Sequence, residues 1–443
     1  MRVKTRLAHA SVFLSKKAVT PQKNDATDQN YRQTHTNTAI CRPLPTQARS
    51  LACHAVVKLA NPPLLLYVMN RMFSAKPLFL AFFLGLVASG SAAQMTTVKY
   101  RSHKGKHTPK PAAVTPSSIS ESSGVYSDRP EVMAQAEGIA NAHQLDPAWV
   151  RAVLGQARQL PTVSRLILPP PVGTPKNWQA YHDRFVEPVR INAGMMFWQA
   201  HAKTLARAEQ MYGVPAKILV GIIGVETLYG RNTGNFRVID SLATLAFDFP
   251  QAHPKAAARQ AFFRDELGYF LAISHQNGQN PLLTKGSYAG AIGLPQFMPS
   301  SIAKYAVDFD GDGKIDLQGS VDDVIGSVAH YFQAFNWQPG LPTHYPVSFD
   351  MQKLDMPTLM GPDILPTFDV STILAKGVVL TPEGRKHPGK LALIELQNGA
   401  EPPSYFAGTE NFYAITRYNW SSYYAMAVID LADAVAQGMQ KRP

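Results

Sequence analysis

At 443 residues, with 45% hydrophobic and 17% charged residues, the chain is long enough for more than one domain and a substantial core. Its net charge of +12 invites a nucleic-acid reading, but residues 1–93 hold twelve Lys/Arg against two Asp/Glu, while residues 94–443 hold 31 basic against 29 acidic residues. A main body so close to neutral argues against a nucleic-acid partner.

The charge asymmetry has a local explanation. Arg71 and Lys76 precede an apolar run from Leu78 to Ala88, and small residues follow through Ala93. This pattern predicts a signal peptide over 69–93, since the run is too short for a comfortable membrane span. An uncleaved signal that retains the chain at the membrane is the alternative. Residues 1–68 carry no helical or strand period and read as an extension upstream of a start at Met69 or Met72. Both cysteines, Cys41 and Cys53, lie in it. The exported chain is therefore expected to lack disulfides, a thiolate nucleophile and a cysteine for lipid attachment, which suits the periplasm. Residues 94–126, rich in Lys, Ser, Thr and Pro, read as a flexible linker.

Order is expected from Ser127-Asp128, with helices from Pro130 and from Asp146-Pro147. Pro161 and Pro169 to Pro171 read as interruptions. Helical patterns resume over Trp178–Phe185 and from Ile191 to Met211. Next comes Pro215 to Gly230, a run apolar on nearly every side, as in a helix buried all round. Further helices are expected near 241–247, 256–271 and 321–335. From about 342 to 408 the texture changes to many prolines and short strand-like pieces, clearest at Val378–Leu380 and Leu391–Leu396, predicting a small β-rich domain. Tyr423 to Met439 reads as a closing amphipathic helix within a C-terminal segment, 411–443, that returns to the helical body. The fold class is mainly α, of the α+β kind.

Glu226 is the only acid of the buried run, in its last turn. Apolar surroundings and the negative end of the helix both disfavour its carboxylate, pushing its pKa toward the range of a proton donor. A glutamate facing solvent at a helix end is the plain alternative. Asp308, Asp310, Asp312, Lys314 (through its carbonyl) and Asp316 have the spacing of the front of an EF-hand loop for Ca2+. The twelfth position is Gly319 rather than an acid, leaving Asp322 or Asp323 to close a longer loop. Ser287 to Ser300 contains Gly290, Gly293 and Gln296, which suit either close backbone approach to a ligand or a tight packed turn. Thr416 to Tyr424 clusters aromatics fit for sugar stacking or for the core.

In this order, Gly224-Val-Glu226-Thr, Tyr229-Gly-Arg231, Gly290-Ala-Ile-Gly293-x-x-Gln296-Phe-Met-Pro-Ser300, the EF-hand-like loop and Arg417-Tyr418-Asn419 resemble the membrane-bound lytic transglycosylase B family over about 128–440. The resemblance implies a lysozyme-like catalytic core with a wrapping helical domain over 127–341 and a small β-rich domain over 342–410. It also implies cleavage of the bond between N-acetylmuramic acid and N-acetylglucosamine in peptidoglycan. Glu226 is then the acid/base, and Tyr181, Arg259, Ser287, Gln296, Tyr418 and Tyr424 are substrate-binding residues, with an apparent insertion at Gln251 to Ala257 just before Arg259. Asp322 is then the residue that completes a structural calcium site. The partners implied are glycan strands and proteins of cell-wall synthesis or remodelling, acting on a monomer. The rival readings are a hydrolytic muramidase of the same fold and a non-catalytic, calcium-dependent peptidoglycan-binding scaffold.

Overall fold

The computed structural model describes residues 125–171 and 173–441. The upstream extension, the signal peptide, both cysteines and most of the linker lie outside the described residues. Tyr126, expected to end the linker, instead belongs to the fold: it is buried, and its hydroxyl donates to Asp248 at 2.6 Å.

The chain begins with α1 (Pro130–His143), α2 (Pro147–Leu154) and α3 (Pro161–Leu166). Each has proline in its first turn, where the missing N–H would have no helical partner. Pro161 thus starts a helix instead of interrupting the chain. Then come α4 (Trp178–His182), α5 (Pro188–Ala200), α6 (Ala202–Tyr212), α7 (Ala216–Thr227), α8 (Val238–Phe247), α9 (Ala256–Gln276), α10 (Pro299–Tyr305) and α11 (Val321–Ala334). A two-residue ribbon pairs β1 (Phe236–Arg237) antiparallel with β2 (Lys285–Gly286). The β-rich stretch holds β3 (His344–Phe349), α12 (Met356–Met360), α13 (Val370–Ala375), β4 (Val378–Leu380), β5 (Ala392–Asn398) and β6 (Glu401–Gly408). Two helices close the chain, α14 (Glu410–Tyr418) and α15 (Ser422–Gln440). The continuous helix expected from Ile191 to Met211 is broken at His201, whose backbone (φ −117°, ψ 23°) leaves the helical region. The break lets α5 pack against α15 while α6 packs against α11.

Three apolar cores result. The first surrounds α7, whose Ile218, Leu219, Ile222 and Ile223 are almost fully buried against Val428, Leu431 and Ala432 of α15 and Val328 of α11. Burying each such side chain stabilises by about 1.5–3 kcal/mol, which is how so apolar a sequence becomes a central helix. The second joins α1, α2 and α3 to α8 and α9 through Val132, Leu154, Leu242, Phe263 and Leu271. The third lies beneath the antiparallel sheet β4-β3-β6-β5, where Tyr345 and Leu393 both face Ala407 in the register. After the sheet, Phe412 and Ile415 of α14 return the chain to the first core. Among the described residues no helix is long and apolar enough to cross a membrane.

Candidate active site

Every residue from Ile218 to Thr227 is buried, and Glu226 is 7% exposed. The Tyr424 hydroxyl donates to its Oε1. Burial pushes the Glu226 carboxyl up to about 8, although the Tyr424 hydrogen bond pulls the other way. It is therefore mostly protonated at neutral pH, a proton donor held in an apolar wall. The end of α7 is shaped to present it. Leu228 and Tyr229 take left-handed backbone (φ 51° and 56°), turning the chain away at once. Thr227 Oγ1 donates to the Leu294 carbonyl at 2.9 Å and accepts the Gly230 N–H at 3.0 Å. Glycine is required at 224 and at 194, because a Cβ at either would overlap the Tyr229 hydroxyl wedged between α5 and α7.

Tyr181, Arg259, Ser287, Gln296, Tyr418 and Tyr424 all line one cleft with Glu226. The cleft follows the seam between the first two cores. Tyr181, Tyr418 and Tyr424 belong to the first. Arg259 and Phe262 come from α9 and Met298 from the loop packed against the second. The insertion before Arg259 does not remove it from the wall: its guanidinium lies 4.8 Å from the ring centres of both Phe262 and Phe263, and burial lowers its pKa to about 10. Tyr418 and Tyr424 are stacked with centroids 6.5 Å apart and planes 16° apart, and the Tyr418 hydroxyl donates to the Pro295 carbonyl. Ser287 Oγ accepts the N–H groups of Ala289 (3.3 Å) and Ala291 (3.0 Å), which leaves its proton to be donated. Gln296 is left-handed (φ 52°) and its amide nitrogen donates to the carbonyls of Gly293 (2.7 Å) and Thr233 (3.1 Å). Its Oε1 is enclosed and has no hydrogen-bond partner among the described residues.

Among the described lining residues Glu226 is the sole carboxylic acid. Asp240, the nearest acid downstream in sequence, is committed elsewhere: it pairs with Arg237 at 2.6 Å and accepts the Arg158 N–H at 2.9 Å.

The acidic loop lies apart from this cleft. Carboxylate oxygens of Asp308, Asp310 and Asp323 approach within 4.8 Å of one another. Asp323, not the expected Asp322, closes the group. The Ser320 hydroxyl caps α11 by accepting the Asp323 N–H, which puts Asp323 at the third helical position. There its oxygens accept the N–H groups of Phe309 (2.7 Å) and Asp316 (2.8 Å). Asp322, one residue earlier and about 100° round the helix, accepts the Thr204 hydroxyl instead (2.7 Å). Asp312 and Asp316 accept backbone N–H groups within the loop, from Lys314 and from Gln318 and Gly319. Lys314 is exposed in the turn between them. The converging donors are hard oxygens, the chemistry calcium prefers. Phe309 anchors the loop: its ring lies against Gly326 and 3.9 Å below the Arg207 guanidinium.

Residues 128–433 match the family described as Transglycosylase SLT domain. The chain belongs to that family. It is 38% identical over 329 residues to the membrane-bound lytic murein transglycosylase B of Escherichia coli K12, covering 72% of this chain and 86% of that protein. It is similar to the E. coli lytic transglycosylase Slt35 in complex with calcium, with TM-score 0.63, 37% identity, and coverage of 72% of this chain and 96% of that one. It is also similar to SltB3 from Pseudomonas aeruginosa in complex with NAG-anhNAM-pentapeptide, with TM-score 0.57, 30% identity, and coverage of 69% of this chain and 79% of that one.

The protein is thus a peptidoglycan lytic transglycosylase with the lysozyme-like fold, acting in the cell envelope. Its cleft contains residues that sequence reasoning did not single out: Phe185, Val225, Phe262, Ala291, Met298 and Asn419. Asn419 follows Tyr418 directly and had a signal in that motif. Val225, Ala291 and Met298 also stand inside the quoted motifs, whereas Phe185 and Phe262 have the sequence pattern of any core residue.

Proposed function

We propose that the transglycosylase cleaves the β-1,4 bond between N-acetylmuramic acid and N-acetylglucosamine without water, leaving a 1,6-anhydromuramyl end. The observation that carries this reading is the single buried carboxyl in a cleft whose described lining offers no second one. Glycosidases that use a protein nucleophile or a protein-activated water need two carboxyls across the scissile bond. With one, the substrate must supply the second group. Glu226, protonated at neutral pH, gives its proton to the glycosidic oxygen as the C1–O bond breaks, and the muramyl N-acetyl group steadies the cationic C1. The carboxylate then takes the proton of the muramyl C6 hydroxyl as that oxygen bonds to C1. A proton has moved from C6–OH to the leaving oxygen, and Glu226 is restored for the next turnover.

Ser287 donates to, and Gln296 Oε1 accepts from, the saccharide, while Tyr181, Tyr418 and Tyr424 form its apolar wall and Arg259 its cationic edge. The complex of SltB3 with an anhydro-sugar ligand supports the same product here. Asp308, Asp310 and Asp323 hold calcium as a structural ion, a reading supported by the Slt35 complex. The apolar run before Ala93 supports export to the periplasm, where the protein works as a monomer in cell-wall remodelling or turnover.

The test is mass spectrometry of peptidoglycan digested by the protein and by Glu226→Gln. Anhydromuropeptides from the wild type alone are expected. Reducing ends would make the enzyme a hydrolase, and equal products from both would remove Glu226 from the reaction.

A further inference from the structure

We propose that Glu266 is a positioning residue that holds the two sides of the wall opposite Glu226 in register for the glycan strand. The proposal rests on the reading of Arg259 as a strand-binding residue. Glu266 lies on α9 two turns beyond Arg259, is 2% exposed, and does not line the cleft. An acid so buried is costly unless its oxygens are satisfied.

Its oxygens are satisfied by the start of α10. Oε2 accepts the Ser300 N–H at 2.8 Å and Oε1 accepts the Ser300 hydroxyl at 2.6 Å. Met298, at the N-cap of α10, makes no side-chain cap of its own, so Glu266 supplies from another helix the acceptor that a local cap would have supplied. Met298 and Gln296 line the cleft immediately before this anchor.

The second link runs along α9. Glu266 favours the charged form of Arg259 against its burial. Burial raises the pKa of Glu266, against the Ser300 hydrogen bonds and the charge of Lys304, and Asp265 adds to the rise. One carboxylate therefore joins the helix that carries Arg259 and Phe262 to the loop that carries Gln296 and Met298.

The test is steady-state kinetics on defined glycan strands for Glu266→Gln, Arg259→Ala and the double variant, with Tm measured alongside. The amide of Glu266→Gln still accepts the Ser300 N–H, so Tm is expected to stay within a few degrees. KM is expected to rise severalfold with kcat within about twofold, and to rise less when Glu266→Gln is added to Arg259→Ala. A KM unchanged in Glu266→Gln, or effects that multiply in the double variant, would overturn the proposal. An Arg259→Ala enzyme with unchanged KM would overturn it too, while leaving the reaction itself to the product assay of Glu226→Gln. Should Glu266→Gln not fold, Glu266→Asp keeps the charge but withdraws it by one methylene. Its KM must then rise, and must rise less in the Arg259→Ala background.

Discussion

The cleft and the acidic loop set the same functional group in opposite surroundings. Glu226 is enclosed by apolar side chains and one tyrosine hydroxyl, and its proton is held tightly. Asp308 and Asp310 are exposed and accept several N–H and O–H groups, and Asp310 is pushed down, first by the Ser320 hydroxyl and then by the Asp312 N–H. Desolvation makes a carboxyl an acid that can give up a proton during reaction, whereas converging donors keep it ionised and ready for a cation. The loop is built for charge that stays put, the cleft for charge that comes and goes.

The sharpest way to break this contrast is at Glu226. Glu226→Gln is expected to lower the turnover rate by about a thousandfold or more, as loss of a group serving as both acid and base should. The same change should stabilise the fold. The folded value lies above the ordinary 4.5, so the unfolded chain ionises first, and stability is lost as pH rises from about 4.5 through about 8. At pH 7 the cost is at most about 3 kcal/mol. Calorimetry should therefore show a higher Tm for Glu226→Gln at pH 7 and little difference at pH 4. A lower Tm at pH 7 would mean the carboxyl is not held neutral.

At the loop the expected effects are on stability and not on chemistry. Asp323→Asn should lower Tm, costing about 1–3 kcal/mol through unpaired backbone N–H groups, and should abolish any rise in Tm on adding calcium. Asp322→Asn should keep that calcium response. A response lost with Asp322→Asn and kept with Asp323→Asn would return the closing role to Asp322.

Smaller effects should appear in the pH profile. The rate should fall as pH passes about 8, because the first step needs protonated Glu226. Tyr424→Phe removes the hydrogen bond that favours the ionised form, so the alkaline limb should move up by as much as about one pH unit. A limb moving down would show that the tyrosine favours the protonated acid.

The parts legible in sequence are those in which one residue type at one spacing carries the physics. The apolar run ending in Glu226, the glycines around Gln296 and the alternating aspartates are of this kind. What was not legible depends on register and on contacts between distant segments. Asp322 and Asp323 are both acids at a helix start, and only the Ser320 cap decides which one faces the loop. His201 breaks a run whose composition is helical throughout, because its two halves pack on different partners. Arg259 was indicated by resemblance alone, and its stacking on Phe262 and Phe263 in the cleft wall shows only in the packing, while Glu266 reaches α10 across 34 residues of chain.

The central claim is that Glu226 rests protonated at neutral pH. Carbon-13 NMR of carboxyl-labelled glutamate, comparing the wild type with Glu226→Gln across pH 3 to 10, would read it directly. One resonance absent from the variant should titrate near pH 8. A Glu226 resonance that titrates near 4.5 would contradict the account.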